Sequence, residues 1–506
     1  MRHTSIRFVA ALTALTLVAA ACGKDRSSTA SSSTASTAAA VTTAAPTTTV
    51  ATGSSTSSTG VASSTPAASS TPATNAATTT TVPAGPTFGD SSWPCGPATT
   101  PNKDDGTEVG VTKDAISIAD GDDAGYAGAP GLDHEMTDAM KALVAKCNEL
   151  GGINGRKITA NYYDAGIFNV GTAMQAACDA KNFFLVGEGW AFDSNQEEIR
   201  LGCNLPAVPA YSVSDAFANG KGVFPALPNP ADELPSGFYP QMAKLLPDAV
   251  KKVGALVGNF SATQETRDKV VEVAPKFGWG FSETALEYNT TGEADWTPFV
   301  KQIKDAGSTA VYWSGSCLPN LQLFAQAAKA NGLNVPIFTD ANHYTSECAA
   351  ANTDGAMNNV YMRMPIIPFE EASSSKATQD YLDLMKASGG DTALLGAEAA
   401  SSFLLWATAA SACGPMLTRD CTLTNLKNTH KWTGFGLHAA TDPGGNHPPS
   451  CNIVLKLDGT KYVRVTPTAV GTFECDPSWI SKITSTKGLA AALLDPNRIS
   501  QQFAAK

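Results

Sequence analysis

Short apolar runs alternate with longer segments in which apolar residues recur every three or four positions. Such runs are typical of buried strands, and the longer periodic segments are typical of amphipathic helices. The predicted strands are Ala115–Ala119, Ile158–Tyr163, Phe183–Val186, Ala207–Val213, Val253–Val257, Thr284–Tyr288, Ala310–Trp313 and Val335–Thr339. The predicted helices are Leu132–Leu150, Val170–Lys181, Ala262–Phe277, Thr297–Ala306 and Asn320–Asn331. This alternation predicts an α/β fold with parallel sheets, helical covers and right-handed crossovers.

The alternation occurs twice, and a segment without it separates Val213 from Val253. Two α/β lobes of similar size therefore follow from the pattern, with a cleft between them. Ligands of open parallel sheets bind beyond the carboxyl ends of the strands. These ends carry small or polar residues at Asp120–Gly121, Gly187–Trp190, Gly258–Asn259, Ser314–Ser316 and Asp340–Asn342. Further along, Ile453–Leu457 and Lys461–Val465 flank Asp458–Gly459, which predicts a β-hairpin.

The amino terminus has the pattern of a secretion signal. Arg2 and Arg7 precede an apolar run, Phe8–Ala21, that ends in small residues directly before Cys22. This arrangement resembles the lipobox of bacterial lipoproteins, in which the cysteine is acylated. It predicts a signal peptide over residues 1–21 and lipidation at Cys22. The alternative is an ordinary signal peptide followed by an unmodified cysteine.

Residues 22–92 consist mainly of Ser, Thr and Ala, and their first aromatic residue is Phe88. Such a segment buries too little apolar surface to offset the entropy lost on ordering, so it is predicted to be a disordered linker. The expected location is outside the cell, on the outer face of the bacterial cell membrane. Contact with the membrane is expected only through the lipid anchor.

The net charge and the cysteine content indicate which partners and which covalent links the protein has. The formal net charge is −11 without a Lys/Arg-rich block, which argues against a nucleic-acid partner. Besides Cys22 there are ten cysteines in a chain predicted to be exported, which favours five disulfides. Nearness in sequence suggests the pairs Cys178–Cys203, Cys317–Cys348, Cys413–Cys421 and Cys451–Cys475, which leaves Cys95 and Cys147 to pair. No cysteines are spaced as zinc ligands, so no metal site is predicted.

Several motifs resemble those of a known family. Gly110–Ile118 resembles the opening strand of type 1 periplasmic binding proteins, and Gly151–Ile158 resembles their turn between first helix and second strand. Tyr162–Asp164, Asp295–Pro298 and Gln302–Gly307 are also similar to stretches of that family. The resemblance is to the branched-chain amino-acid-binding (Leu/Ile/Val-binding-like) substrate-binding lipoproteins of ABC importers.

The resemblance implies two doubly wound parallel-sheet lobes joined by a three-crossover hinge. Lobe one would comprise residues 93–225 and 365–433, and lobe two residues 226–364 and 434–506. The crossovers would lie near Phe224–Pro225, Met364–Pro365 and Trp432–Gly436. The turn at Gly151–Arg156 is expected to have a structural role only, because its glycines allow a tight helix end.

The resemblance also implies where a ligand would bind. Lobe one would contribute Tyr126, Trp190, Ala191, Tyr211 and Ser212, and lobe two Asn259, Phe260, Ser314, Asp340 and Asn342. The loop Gly187–Phe192 is bulkier than the Ser/Thr-rich loop of amino-acid binders. Trp190 is expected either to stack on a flat or apolar ligand or to lie in the core.

An enzyme is not predicted. The chain has no Gly-x-Ser-x-Gly elbow, and its histidines lack metal-ligand spacing. We expect a monomeric, cofactor-free protein that captures a small molecule, such as an amino acid or an amide, and delivers it to ABC permease subunits. The alternative is a lipid-anchored sensor that signals through a partner protein, because the same fold serves both roles.

Overall fold

A computed structural model describes residues 85–504 of the 506-residue chain, except the side chains of residues 283 and 284. The predicted signal peptide, Cys22 and most of the predicted linker lie outside the described residues. Within residues 85–504, no helix combines the length and the apolar character that a bilayer crossing requires.

The secondary structure follows the predicted alternation. The strands are β1 (Thr87–Phe88), β2 (Ser91–Ser92), β3 (Ala115–Asp122), β4 (Lys157–Asp164), β5 (Phe184–Val186), β6 (Ala207–Val208), β7 (Glu233–Pro235), β8 (Val253–Gly258), β9 (Phe281–Tyr288), β10 (Ala310–Ser314), β11 (Ile337–Thr339), β12 (Val360–Met364), β13 (Cys451–Asp458), β14 (Lys461–Thr466), β15 (Glu474–Cys475) and β16 (Ile480–Lys482). The α-helices are α1 (His134–Leu150), α2 (Val170–Asp179), α3 (Ser194–Gly202), α4 (Asp215–Ala218), α5 (Phe238–Leu245), α6 (Ser261–Val273), α7 (Thr297–Asp305), α8 (Gln322–Ala330), α9 (Ser346–Ala351), α10 (Lys376–Ser388), α11 (Leu394–Ser411), α12 (Arg419–Lys427) and α13 (Lys487–Ala492).

The first sheet is parallel, with strand order β4-β3-β5-β6. All three residues of β5 are buried, and their side chains alternate between the two faces. Phe184 and Val186 belong to one core cluster with α1 and α11, whereas Leu185 belongs to another with α2. Helices therefore cover both faces, which is why this strand has a continuous apolar sequence. We call the first sheet and its covering helices the first lobe.

The second sheet has the order β9-β8-β10-β11-β12-β13-β14, and β15 pairs with β13. Its strands from β9 to β12 are parallel, whereas β13 and β14 are antiparallel to their neighbours. Both faces are again covered, because Tyr312 packs with α5 and α6 while Trp313 packs with α8. We call this sheet and its helices the second lobe. The predicted α/β fold is thus confirmed, with a second sheet that is parallel from β9 to β12 and antiparallel at β13 and β14, and so is the hairpin around Asp458–Gly459.

The observed element bounds differ from the prediction where proline or local packing intervenes. The strand predicted over Ala207–Val213 ends at Val208, because Pro209 has no N–H to donate to a neighbouring strand. The helix predicted from Asn320 begins at Gln322, after an irregular turn that contains Pro319. The last residues of the predicted linker are ordered: β1 and β2 form a hairpin whose Phe88 is buried.

All five disulfides are present with the predicted pairing. Cys178–Cys203, Cys317–Cys348, Cys413–Cys421 and Cys451–Cys475 join near neighbours in the sequence, and Cys95–Cys147 anchors the segment before the first sheet to α1. Each bridge typically adds about 2–4 kcal/mol by restricting the unfolded chain. The disulfides therefore stabilise the fold.

The predicted turn between α1 and β4 forms, and its packing explains its sequence. Gly151 and Gly152 both have positive φ, and Ile153 beneath them is fully buried. The Arg156 guanidinium is buried and donates to Thr112 O, Asn102 Oδ1, Lys103 O and Pro415 O at 2.8–3.1 Å. This arginine ties the turn to the segments around it.

The carboxyl-terminal residues contact both lobes. Strand β16 pairs antiparallel with β7, and α13 packs against α4 and α6, which follow strands of the first and second sheet, respectively. Arg498 donates to both carboxylate oxygens of Asp232, at 2.8 and 2.6 Å. After β12 the chain enters α10 and α11, which pack against α1, and the Gly434–Gly436 turn packs against the same two helices. The lobe boundaries given above remain predictions.

Candidate ligand-binding site

A cavity of about 240 Å³ lies between the two lobes, beyond the carboxyl ends of their parallel strands. The first lobe contributes Tyr126 from the loop after β3, Ala191 from the loop after β5, and Ser212 from the loop after β6. The second lobe contributes Phe260 after β8 and Asp340 after β11. A parallel sheet directs the ends of its strands to one edge, so two facing sheets create one shared crevice.

Most of the residues predicted for ligand binding line this cavity. These are Tyr126, Ala191, Tyr211, Ser212, Phe260, Ser314, Asp340 and Asn342. Trp190 and Asn259 are not among the residues that line it. Ligand contact by any of the ten stays a prediction.

Trp190 lies in the core, next to the cavity loops. Its side chain is fully buried, and its indole Nε1 donates to Asp122 O at 3.0 Å. A Cβ added at Gly121 would lie only 2.4 Å from the Trp190 ring, so the glycine makes room for the indole. Trp190 was expected either to stack on a ligand or to lie in the core, and its position is that of a core residue. Trp190 supports the loops that carry Tyr126 and Ala191.

Asn259 links two loops of the second lobe. Its Oδ1 accepts hydrogen bonds from the backbone N and the Oγ1 of Thr290, at 3.2 and 3.3 Å. Thr290 lines the cavity, whereas Asn259 lies behind it. In the first lobe, Asp123 also links loops. Its carboxylate accepts hydrogen bonds from the backbone N of Ile167 at 2.6 Å and from the backbone N of Ala191 at 2.7 Å.

Four charged residues line the cavity that the sequence analysis did not single out: Asp133, Lys269, Arg363 and Glu398. Asp133 directly precedes α1, Lys269 and Glu398 lie within helices, and Arg363 lies within a strand. The sequence prediction considered only residues in the loops that follow strands. A sequence signal existed for two of them. Glu398 is the single charged residue of the apolar helix α11, and Arg363 is the single charged residue of β12.

The first-lobe wall contains the half-buried carboxyl group of Asp133. Burial raises the pKa of Asp133 well above its usual value, and the neighbouring Glu135 acts in the same direction. The Tyr211 hydroxyl donates to Asp133 Oδ2 at 3.2 Å. This pair therefore gives the first-lobe wall a polar surface.

The second-lobe wall contains an ion pair, and α11 of the first lobe adds an isolated carboxyl group, Glu398. Arg363 Nε donates to Asp340 Oδ1 at 2.9 Å, and the Tyr312 hydroxyl donates to Asp340 Oδ2 at 2.9 Å. Burial raises the pKa of Glu398 to about 8, although the positive charge of Arg363 opposes the shift. At neutral pH most Glu398 carboxyls are accordingly protonated.

A second ion pair joins the lobes at the side of the cavity. Lys269 Nζ of α6 lies 2.5 Å from Asp215 Oδ1 of α4. The backbone N of Asp215 donates to Glu265 Oε2 at 3.1 Å. Burial, and after it the charge of Asp215, raises the pKa of Glu265 to about 6. Lys269 therefore lies close to two acidic side chains.

Two residues that line the cavity have buried hydroxyl groups without a hydrogen-bond partner in the described part of the chain. The side chains of Tyr126 and Ser212 are buried, with residue exposures of 6% and 3%, and neither hydroxyl has a hydrogen-bond partner among residues 85–504. Buried polar groups normally have partners. Cavities of this kind combine an apolar lining with a few polar groups that fix the orientation of a ligand.

Two α/β lobes that enclose a partly polar crevice define a class of proteins that bind small solutes between their lobes. The family model described as "Periplasmic binding protein" matches residues 122–461, which is most of the folded chain. The protein therefore belongs to the periplasmic binding protein family. Family membership implies an extracytoplasmic location. The comparison with curated protein sequences gave no match.

Solved structures with this fold have low sequence identity to the chain. The branched-chain amino acid transporter substrate binding protein LivJ from Streptococcus pneumoniae, in complex with isoleucine, is 16% identical with a TM-score of 0.57, covering 70% of this chain and 100% of its own. An ABC transporter solute binding protein from R. palustris, in complex with 4-hydroxybenzoate, is 15% identical with a TM-score of 0.57, covering 70% and 96%. A fatty acid ABC transporter substrate-binding protein from Thermomonospora curvata is 15% identical with a TM-score of 0.52, covering 76% and 99%. These similarities show the fold.

Proposed function

We propose that this protein is an extracytoplasmic solute-binding lipoprotein of an ABC importer. It captures a small molecule in the cavity between its lobes and delivers the molecule to permease subunits. Cys22 is the point of lipid attachment, and the Ser/Thr/Ala-rich linker connects it to the folded part. The protein acts as a monomer, and its role is binding rather than catalysis.

The observation that carries this proposal is the interlobe cavity with unpartnered hydroxyl groups in its wall. Tyr126 and Ser212 come from loops after different strands, both residues line the cavity, and a ligand between the lobes would supply partners for their hydroxyls. Membership in the periplasmic binding protein family supports the same reading. The solutes named for the similar structures, isoleucine, 4-hydroxybenzoate and a fatty acid, all contain a carboxyl group. An amino acid or a related organic acid or amide is therefore the first class of solute to test.

A thermal-shift screen tests the proposal. We expect the true solute to raise the unfolding temperature of the purified protein, because it binds the folded state alone. A ligand present at a hundred times its Kd adds about 2.7 kcal/mol. The screen should include amino acids, peptides, aromatic acids, fatty acids and amides. A complete absence of shifts across these classes would contradict the proposal.

We expect Ser212→Ala to reduce solute affinity about twofold to tenfold and to leave stability nearly unchanged. The hydroxyl has no partner in the protein, so its removal breaks no internal hydrogen bond, whereas a bound solute loses a bond worth about 0.5–1.5 kcal/mol. Isothermal titration calorimetry and chemical denaturation measure the two effects. Ser308→Ala is the matched control, because Ser308 is also buried and unpartnered in the described residues but does not line the cavity. Equal affinities of the two variants would exclude Ser212 from the site.

The anchor is tested separately by cell fractionation. We expect the wild-type protein in the membrane fraction and Cys22→Ser in the medium or the periplasmic fraction, because the variant has no thiol to acylate. A Cys22→Ser protein that stays with the membrane would contradict lipid attachment at this residue. Solute binding by the variant should equal that of the wild type, since Cys22 lies at the far end of the linker.

A further inference from the structure

Arg363 has an unusual position for a charged residue. It lies in β12, a central strand of the second sheet, and its side chain reaches the cavity wall. Its Nε is held by Asp340 at 2.9 Å, and the second oxygen of Asp340 is held by the Tyr312 hydroxyl at 2.9 Å. With both carboxylate oxygens engaged, Asp340 is held in place and anchors the guanidinium group at Nε.

The terminal nitrogens of this guanidinium group are free. Nη1 and Nη2 of Arg363 donate to no residue in the described part of the chain. Lys269, the other basic residue of the cavity lining, is already engaged by Asp215 at 2.5 Å and by Pro230 O at 3.2 Å. Arg363 is therefore the basic residue of the lining that has two whole nitrogens, Nη1 and Nη2, left for a ligand.

No acidic side chain of residues 85–504 is paired with these two nitrogens. Glu398 of α11 lines the cavity from the first lobe, but neither of its carboxylate oxygens lies within 4.0 Å of an Arg363 nitrogen. The remaining lining is largely apolar and includes Leu227, Leu234, Phe260 and Leu394. A group that fits here carries acceptor oxygens at one end and an apolar body at the other.

We propose that the solute is an amphipathic carboxylic acid whose two carboxylate oxygens bind Nη1 and Nη2 of Arg363. This inference rests on the proposed function and adds the class of solute and the residue that selects it. A guanidinium fork matches the planar carboxylate with two parallel hydrogen bonds, which an ammonium group does not offer. Because burial raises the pKa of Glu398 to about 8, its carboxyl is mostly protonated at neutral pH and does not repel the incoming anion.

Three probes share one apolar body and differ in their polar end. 3-Phenylpropanoate carries a carboxylate, 3-phenylpropanamide a neutral amide, and L-phenylalanine a carboxylate with a neighbouring ammonium group. Calorimetric titration of the full-length protein at pH 7 should show that at least one of the two carboxylates binds. The one that binds should do so at least tenfold more tightly than the neutral amide. The comparison between propanoate and phenylalanine then shows whether an ammonium group next to the carboxylate is accepted.

Variants assign the effect to Arg363. Arg363→Gln should weaken carboxylate binding at least tenfold while changing amide binding less than threefold. Arg363→Lys keeps the positive charge beside Asp340 and should be intermediate. Lys456→Gln is the matched control, because it removes a positive charge from the adjacent strand β13 and does not line the cavity, so its affinities should equal those of the wild type. Unfolding temperatures show whether each variant is folded.

The inference is wrong if neither carboxylate binds, if the amide binds as tightly as the carboxylates, or if Arg363→Gln keeps the wild-type preference. Should another solute from the wider screen bind while both carboxylates fail, the proposed function stands and this inference alone is refuted. Failure of every solute in the wider screen refutes the proposed function itself.

Discussion

Lys269→Met is expected to lower the free energy of unfolding by about 3–5 kcal/mol, because it leaves a buried carboxylate without its counter-charge. The Lys269 and Asp215 side chains are 3% and 2% exposed, and their charged atoms are 2.5 Å apart. Glu265 lies beside Asp215 and accepts a hydrogen bond from its backbone N. Without Lys269, the buried Asp215 carboxylate would lie beside the half-buried Glu265 with no positive charge near it. Chemical denaturation with the disulfides intact measures the loss.

The chain offers a matched control for this experiment. Lys301 and Asp305 form an ion pair whose side chains are 73% and 63% exposed. Lys301→Met should cost less than about 1 kcal/mol, since exposed pairs gain little over hydration. The double substitution Lys269→Met with Asp215→Asn should recover part of the stability, because it removes both buried charges. Equal losses in Lys269→Met and Lys301→Met would contradict the assignment of a buried pair.

Glu398→Gln is expected to change the pH dependence of stability by several kcal/mol. The pKa of Glu398 is about 8 in the folded protein and 4.5 in the unfolded reference. Between these values the folded state retains a proton that the unfolded state has lost, so the wild-type stability falls as pH rises. Each pH unit in this window costs about 1.4 kcal/mol. The variant has no such proton, so its free energy of unfolding should not fall in this way. The difference in free energy of unfolding, variant minus wild type, should therefore be about 4 kcal/mol larger at pH 8 than at pH 4.

Denaturation curves at pH 4.5, 6 and 8 check this expectation. Glu149→Gln is the control, because the Glu149 side chain is 68% exposed and lies on α1, away from the cavity. Its stability difference from the wild type should stay constant across the same pH values. If the Glu398→Gln difference also stayed constant, Glu398 would not be a buried acid with a raised pKa.

The fold could be predicted because its signals are local. The all-buried sequence Val253–Gly258 and the apolar spacing of α1 arise from contacts that each element makes with its covering layer, and these contacts repeat along the segment. Elements were mispredicted where a single residue overrides the pattern. Pro209 ends β6 early, and Phe88 orders a hairpin inside a segment whose composition indicates a linker.

Only part of the candidate site could be predicted from the sequence. Tyr126, Ser212 and Asp340 could be predicted because loops after parallel strands meet at one edge of a sheet. Trp190 also lies in a loop after a parallel strand, yet its indole is buried in the core. The sequence pattern does not indicate whether a side chain in such a loop points to the cavity or to the core. Arg363 and Glu398 were missed because they lie inside a strand and a helix, where a charged residue was not interpreted as part of a site.

The sequence by itself determined the repeated alternation of strands and helices that forms the two lobes; it suggested the disulfide pairs by nearness along the chain and predicted the sheet edges where a ligand would bind. These depend on short-range periodicity and on spacing along the chain. Only the tertiary structure decided which side chains share the cavity. Arg363 and Glu398 come from different lobes, and Asp215 and Lys269 are 54 positions apart in sequence number. The approach of such residues depends on how two separately built sheets face each other, and the sequence contains no repeating signal for that arrangement.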